Sequence, residues 1–141
     1  MPTDHKDYSG TPLPRKLGIR DGSRVYVAGA PDGFASRLAP LPGGVELAPR
    51  ASRPLDVILL FVTRTAVLEK RFGALARALD PAGRLWIAWP KKAARLDTDL
   101  DFTTVQRIGL DAGLVDNKSG SITEAFQGLQ FVYRLRDRPA S

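Results

Sequence analysis

The chain has 141 residues, carries no cysteine, and has a formal net charge of +6 from 21 basic and 15 acidic side chains. Its length fits one domain, and the lack of cysteine excludes disulfides, thiol nucleophiles and thiolate metal sites. The positive charge favours an acidic partner, either an anionic small molecule or an acidic protein. Because the basic residues are scattered along the chain, a nucleic-acid partner is not expected.

The sequence carries no signal for export or for membrane insertion. Residues 1–10 lack the apolar core of a signal peptide. The longest apolar run, Val57 to Val62, is too short to cross a bilayer. We therefore expect a cytoplasmic protein without membrane contact.

The predicted elements begin after the polar residues 1–10, which we expect to be flexible. A single helical turn spans Thr11 to Gly18, with Thr11 as its cap and Gly18 at its end. A strand from Arg24 to Gly29 then runs through a glycine-containing turn into a short helix, Phe34 to Ala39. This layout is typical of a turn that binds phosphate or a nucleotide. A short strand, Val45 to Leu47, follows.

The middle of the chain predicts a buried strand and an amphipathic helix. Asp56 to Val62 is apolar without alternation, as expected when helices cover both faces of a parallel sheet. Thr63 or Thr65 can cap the next helix, whose apolar residues recur on one side: Leu68, Phe72, Leu75 and Leu79.

The stretch from Leu79 to Lys92 combines a turn, a strand and a basic loop. Asp80 to Gly83 has turn composition, and Arg84 to Ala88 reads as a buried strand. Trp89 and Pro90 end that strand, and Lys91 and Lys92 follow. Positive charge therefore lies at the carboxyl end of a strand, where α/β sheets bind ligands.

An acidic row precedes the last helix. Asp97, Asp99 and Asp101 alternate as in a calcium-binding loop, but Phe102 and Ile108 stand where that loop requires Gly and Glu. We interpret the row as a loop in which Asp101 or Thr103 caps a helix that ends at Gly113. The apolar residues of this helix share one face: Phe102, Val105, Ile108 and Ala112. The two strands behind it, starting at Leu114 and Leu129, are too close for a parallel crossover and should pair antiparallel.

The order of these elements predicts the fold class. It indicates a single α/β domain over residues 11–136, with a Rossmann-like, doubly wound, mostly parallel sheet and an antiparallel C-terminal strand. Residues 137–141 form a polar tail.

Three segments resemble the class I S-adenosylmethionine-dependent methyltransferase fold: LGIRDGSRVYVAGAPDG at 17–33, LDPAGRLWIAW at 79–89 and GLVDNKSGSITEAFQGLQFVYR at 113–134. The resemblance implies a glycine turn after the first strand that binds the cofactor. Gly29 and Gly33 match the outer glycines, but Val27 replaces the acidic residue and Pro31 the middle glycine. Proline has no N–H to donate. Glu46 is the one candidate for the ribose-binding acid. We therefore expect no cofactor, and S-adenosylmethionine only if the chain is a diverged methyltransferase.

The chain also resembles, more specifically, an uncharacterised bacterial family whose members read like YSGTPLxxKLGI, GAPxGF, DVIxxFVT and LWxxWPKK. The matching segments here are Tyr8 to Ile19, Gly29 to Phe34, Asp56 to Thr63 and Leu85 to Lys92. This resemblance covers residues 8 to 135 and adds fold but little function.

No catalytic set is evident in the sequence. His5 is the single histidine, so neither a Ser-His-Asp set nor a histidine metal site can be built. The candidate ligand-binding residues all follow predicted strands: Gly29, Pro31, Asp32, Gly33, Thr63, Trp89, Lys91 and Lys92.

The sequence is compatible with three functions. The first is a non-catalytic methyltransferase-like domain that binds an anionic small molecule or partner at these strand ends. The second is a diverged methyltransferase. The third is an interaction module that forms a homo-oligomer through an exposed final strand.

Overall fold

The computed structural model describes residues 11–137. The predictions for residues 1–10, including His5, and for most of the tail lie outside the described residues. Within them, no helix has the length and apolar character needed to span a membrane.

A six-stranded sheet forms the centre of the protein, with the strand order β2-β1-β3-β4-β6-β5. Strands β2, β1, β3 and β4 are parallel, and β6 is antiparallel to both of its neighbours, β4 and β5. This confirms the predicted fold class. The strands are β1 (Arg24–Ala28), β2 (Glu46–Leu47), β3 (Leu55–Phe61), β4 (Leu79–Pro90), β5 (Leu114–Ser121) and β6 (Phe126–Tyr133).

Helices cover both faces of the sheet. The longer two, α3 (Thr65–Ala78) and α4 (Phe102–Asp111), contribute Leu68, Phe72 and Val105 to a core on one face. The shorter two, α1 (Leu13–Leu17) and α2 (Phe34–Leu38), pack on the opposite face. Six of the seven residues of β3 are buried, which is why that strand reads as an unbroken apolar run.

The predicted turn at Asp80 to Gly83 is a bulge inside β4. Leu79 pairs with Leu55 and Arg84 pairs with Val57, so the residues between them face the single residue Asp56. The Asp80 carboxylate accepts a hydrogen bond from the backbone N–H of Ala82 at 3.0 Å. Turn composition therefore bends the strand locally and does not separate two elements.

The helix caps differ in part from the prediction. Asp101 caps α4 by accepting a hydrogen bond from the N–H of Thr104 at 2.8 Å, as predicted. Thr11 does not cap α1, and neither Thr63 nor Thr65 caps α3. Instead, the Asp99 carboxylate accepts the N–H of Thr65 at 2.7 Å. Tertiary contact thus replaces the local cap.

The prediction of an exposed final strand is wrong. β6 lies between β4 and β5 and is hydrogen-bonded on both sides. Its apolar residues match this interior position, since Leu129 and Phe131 are fully buried. The sheet edges are β2 and β5, and neither of them is the last strand of the chain.

Candidate functional site

The candidate residues lie at the carboxyl edge of the parallel strands. Gly29 follows β1, Thr63 follows β3, and Lys91 and Lys92 follow β4. Because these strands are parallel, their carboxyl ends meet on one side of the sheet, where ligands bind in open α/β folds.

The glycine turn after β1 has a left-handed residue at each end. Gly29 has φ +72° and Gly33 has φ +83°, values that favour glycine. A Cβ added to Gly29 would lie 2.5 Å from the carbonyl oxygen of Phe61, whereas a Cβ on Gly33 would meet nothing within 4 Å. The space that the missing side chain leaves at Gly29 is therefore filled by the backbone end of β3.

Aromatic rings occupy the sheet face behind this turn. Phe61 makes edge-to-face contacts with Phe34 at 4.9 Å and with Phe126 at 5.1 Å between ring centroids. A cavity of about 270 Å³ remains beside them, with Gly29 and Thr63 in its lining. This is slightly below the volume of a typical small-molecule pocket, ~300–1,000 Å³.

Glu46 is in the wrong place to bind a ribose. It pairs in register with Arg24, the first residue of β1, so it lies toward the amino edge of the sheet. Its carboxylate forms an ion pair with the Arg24 guanidinium at 3.4 Å. The residues that follow β2 are Ala48, Pro49 and Arg50, none of them acidic.

The residues at the glycine turn therefore do not fit an adenosyl cofactor in the way the sequence resemblance implies. Pro31 offers no N–H, and no carboxylate follows β2. These two differences affect separate contacts, with the main chain and with the ribose of the cofactor.

A larger cavity lies at the carboxyl ends of β4 and β5 and at the amino end of β6, which runs antiparallel to both. Its volume is about 910 Å³, and both Lys91 and Lys92 line it. Leu96 and Phe102 form apolar walls and remain exposed, at 47% and 44% of their full surface. Trp89 also borders it but is 1% exposed, so its ring packs in the core and does not offer a stacking face.

The two lysines have different surroundings. The Lys91 ammonium donates a hydrogen bond to the Ser121 hydroxyl at 2.7 Å, and the Lys91 N–H donates to the Ala125 carbonyl at 2.8 Å. Lys92 is exposed and lies near Asp101. The pKa of the Asp101 carboxyl lies below its ordinary value, first because of the hydrogen bonds from Thr104 and to a lesser degree because of Lys92.

A third lysine, Lys16, does not line the cavity but contacts Ser121, which does. The Lys16 ammonium, from α1, donates a hydrogen bond to the backbone carbonyl of Ser121 at 3.0 Å. Its pKa lies below the ordinary lysine value because burial disfavours the charged form, and because the positive Lys91 lies nearby.

The acidic row before α4 does not form a metal site. Asp97 pairs with Arg64, Asp99 bonds Thr65, and Asp101 caps α4. No cluster of three or more potential metal ligands exists in the range 11–137. Each carboxylate instead fixes the chain between β4 and α4.

The structure divides the predicted site residues among three places. Gly29 and Thr63 border the small cavity, and Trp89, Lys91 and Lys92 border the large one. The rest of the glycine turn, Pro31 to Gly33, lines neither of them. Sequence reasoning missed Lys16, Ser121 and Phe102. Lys16 and Ser121 are 105 positions apart, so no local signal could have joined them.

Comparison with solved structures identifies the fold. The chain is similar to the magnesium protoporphyrin IX methyltransferase of Synechocystis PCC 6803, solved with bound SAH, at 14% identity and a TM-score of 0.55, covering 81% of this chain and 75% of that one. A fibrillarin pre-rRNA processing protein of Methanococcus jannaschii gives 16% identity and a TM-score of 0.60, with 86% and 68% covered. A SAM-dependent methyltransferase of Aquifex aeolicus gives 16% identity and a TM-score of 0.56, covering 83% of this chain and 85% of that one.

Comparisons of the sequence with family models and with curated proteins give no match. No family model matches the chain, and no curated protein matches it. Because the solved structures are this distant in sequence, their likeness establishes a methyltransferase-type, Rossmann-like fold and leaves the activity open.

Proposed function

We propose that this protein is a methyltransferase-like domain that binds an anionic small molecule at the carboxyl edge of its sheet and does not transfer methyl groups. One observation carries the proposal: Lys91 and Lys92 border a cavity of about 910 Å³, and neither lysine forms an ion pair with a carboxylate of residues 11–137. Asp101 is the one carboxylate among the described lining residues, so the two lysines leave an excess of positive charge. A concave site with such an excess attracts anions.

The glycine turn supports the non-catalytic part of the proposal. Pro31 cannot donate a hydrogen bond, and no carboxylate follows β2, where the resemblance implies a ribose-binding acid. The basic cavity lies on the β6 side of β4, whereas the turn follows β1. Ligand binding in this protein would therefore have moved along the sheet edge, away from the place where the fold family holds its cofactor.

The test is calorimetry with inorganic phosphate, pyrophosphate and citrate on the double variant Lys91→Ala/Lys92→Ala. We expect binding of at least one of these anions to weaken at least tenfold. Lys70→Ala, which removes one exposed charge from α3, is the control and should bind as the unchanged protein does. Equal affinity of the double variant and the unchanged protein would refute the site.

The second candidate is a diverged methyltransferase. It is favoured by the likeness to solved methyltransferases and by the left-handed glycines at both ends of the turn. Calorimetry with S-adenosylmethionine separates the two functions. Saturable micromolar binding would support the enzyme, and no heat at high cofactor concentration would support the non-catalytic domain.

We also propose that the chain belongs to the bacterial family that shares the YSGTPL and WPKK segments, and that it acts in the cytoplasm. The segment LWIAWPKK forms the end of β4 and the basic rim of the cavity. If the assignment is right, the structure of another member should show the same strand order and the same lysines at that rim. Cell fractionation tests the location.

A further inference from the structure

Two ammonium groups converge on one residue at the rim of the large cavity. Lys91 Nζ lies 2.7 Å from the Ser121 hydroxyl, and Lys16 Nζ lies 3.0 Å from the Ser121 carbonyl oxygen. They come from different directions. Lys91 follows β4 and lines the cavity, whereas Lys16 belongs to α1, on the face of the sheet opposite α4, and reaches Ser121 from outside the lining. Within residues 11–137 neither forms an ion pair with a carboxylate.

The meeting point is held in place by further hydrogen bonds. The Ser121 hydroxyl donates to the Thr123 carbonyl at 2.9 Å, and the Lys91 backbone N–H donates to the Ala125 carbonyl at 2.8 Å. Each ammonium has three N–H donors, and the contacts above use one of each. The remaining donors of two neighbouring cations therefore stand ready for an acceptor that carries negative charge.

Bringing two ammonium groups together is unfavourable without an anion. The pKa of Lys16 is lowered both by burial and by Lys91, which is the expected effect of a like charge nearby. A dianionic phosphate group would reverse this repulsion and accept charge-assisted hydrogen bonds from both lysines.

The same cavity has an apolar wall beside this charge. Leu96 and Phe102 line it and are among the few large apolar side chains of the described residues that remain exposed. A cavity that holds both an exposed aromatic residue and the Lys91 ammonium favours a ligand with an anionic end and a flat apolar body. The cavity volume of about 910 Å³ accommodates such a molecule.

We infer that the cavity binds a phosphomonoester, with its phosphate between Lys16 and Lys91 at Ser121 and its ring or apolar body against Leu96 and Phe102. This inference rests on the proposed function and specifies the ligand class of the same site. It adds Lys16, Ser121, Leu96 and Phe102 to the site that the sequence predicted.

The experiment uses phenyl phosphate and inorganic phosphate as probes, with calorimetry on the full chain. We expect phenyl phosphate to bind at least tenfold more tightly than inorganic phosphate. Lys16→Met and Lys91→Met should each weaken both probes about tenfold, as expected for the loss of one charged hydrogen bond. Lys70→Met, on the exposed face of α3, is the control and should change neither affinity.

Phe102→Ser tests the contribution of the apolar wall separately from that of the lysines. It should reduce the affinity for phenyl phosphate to that for inorganic phosphate and leave inorganic phosphate unaffected. Circular dichroism on each variant confirms that it is folded.

The outcomes distinguish this inference from the proposed function. If anion binding is lost in Lys91→Ala/Lys92→Ala but unchanged in both Lys16→Met and Phe102→Ser, the site binds anions and the phosphomonoester inference is wrong. Equal affinity of the unchanged protein for phenyl phosphate and inorganic phosphate also overturns it. If neither probe binds and no other anion does, the proposed function fails as well.

Discussion

Gly29 and Gly33 share a left-handed backbone but differ in what surrounds them. At Gly29, a side chain would meet the carbonyl oxygen of Phe61 at 2.5 Å, and at Gly33 it would meet open space. Gly29 is therefore required both for its backbone angle and for its close contact with Phe61, whereas Gly33 is required for its backbone angle alone. The pair allows these two requirements to be measured separately.

We predict that Gly29→Ala destabilises the protein more than Gly33→Ala does. Gly33→Ala should cost only the backbone strain, about 1–2 kcal/mol for a residue forced into the left-handed region. Gly29→Ala carries a similar strain and adds the collision with β3. Urea unfolding of both variants gives the two free energies. Equal losses would mean that the end of β3 moves aside freely.

Asp99 shows that an exposed carboxylate can hold two distant segments together. It accepts the N–H of Thr65, 34 positions earlier, at 2.7 Å. That hydrogen bond is the largest cause of the lowered pKa of the Asp99 carboxyl. Asp101 caps its own helix three residues away, so the sequence predicted it, whereas nothing local points from Asp99 to α3.

We predict that Asp99→Ala lowers Tm at neutral pH and that the difference disappears in acid. A carboxyl whose folded pKa is depressed contributes stability above its ordinary pKa of about 3.9, and the contribution is lost as the pH falls through the folded pKa. Thermal unfolding of both proteins between neutral pH and acid tests this. Asp99→Asn keeps a hydrogen-bond acceptor but does not titrate. Its Tm should therefore lie above that of Asp99→Ala by the same amount at every pH. A constant difference between Asp99→Ala and the unchanged protein would contradict the prediction.

At the scale of elements, α4 packs against β6 through a glycine. A Cβ on Gly109 would overlap the ring of Phe131, which itself makes an edge-to-face contact with Phe72 of α3 at 5.3 Å. Helical periodicity predicted Val105 and Ile108 on the buried side, and both are buried. It also placed Phe102 there, but this residue lies on the first turn and faces the large cavity. Periodicity identifies a face and cannot tell whether the neighbouring element extends far enough to cover it.

We predict that Gly→Ala raises the free energy of unfolding in α3 and lowers it in α4. Gly73→Ala in α3 meets only the end of the Arg77 side chain at 3.3 Å, so it should stabilise by about 0.5–1 kcal/mol through helix propensity. Gly109→Ala gains the same propensity but drives a methyl group into Phe131, and overpacking of a core typically costs about 1–3 kcal/mol. Urea unfolding should show a gain for the first variant and a loss for the second. A gain for both would mean that Phe131 has room to move.

At the scale of the whole molecule, the order of elements was enough to predict the parallel sheet and its antiparallel strand. Short connections force antiparallel pairing, and β5 and β6 are separated by only the residues 122–125. Sequence order could not decide which strand lies at the edge. Beside β4, Leu129 and Phe131 of β6 lie on the face that α3 and α4 cover, and both are buried in that core. Sequence order also could not show that the predicted site residues border two cavities. The loops that carry them share one edge of the sheet but open into separate cavities.

The two true edges of the sheet are poor templates for pairing with another copy. β2 has two residues, and β5 carries an irregularity between Asp116 and Lys118 together with the exposed Lys118 charge. Short strands, bulges and edge lysines all discourage pairing between sheets. We therefore predict a monomer by sedimentation velocity, and self-association on Lys118→Val, which replaces the edge charge by a β-branched apolar side chain. Lys70→Val makes the same change on an exposed helix face and should stay monomeric, because it leaves the edge unaltered. A dimer of the unchanged protein, or equal association of both variants, would show that the edge strands do not control assembly.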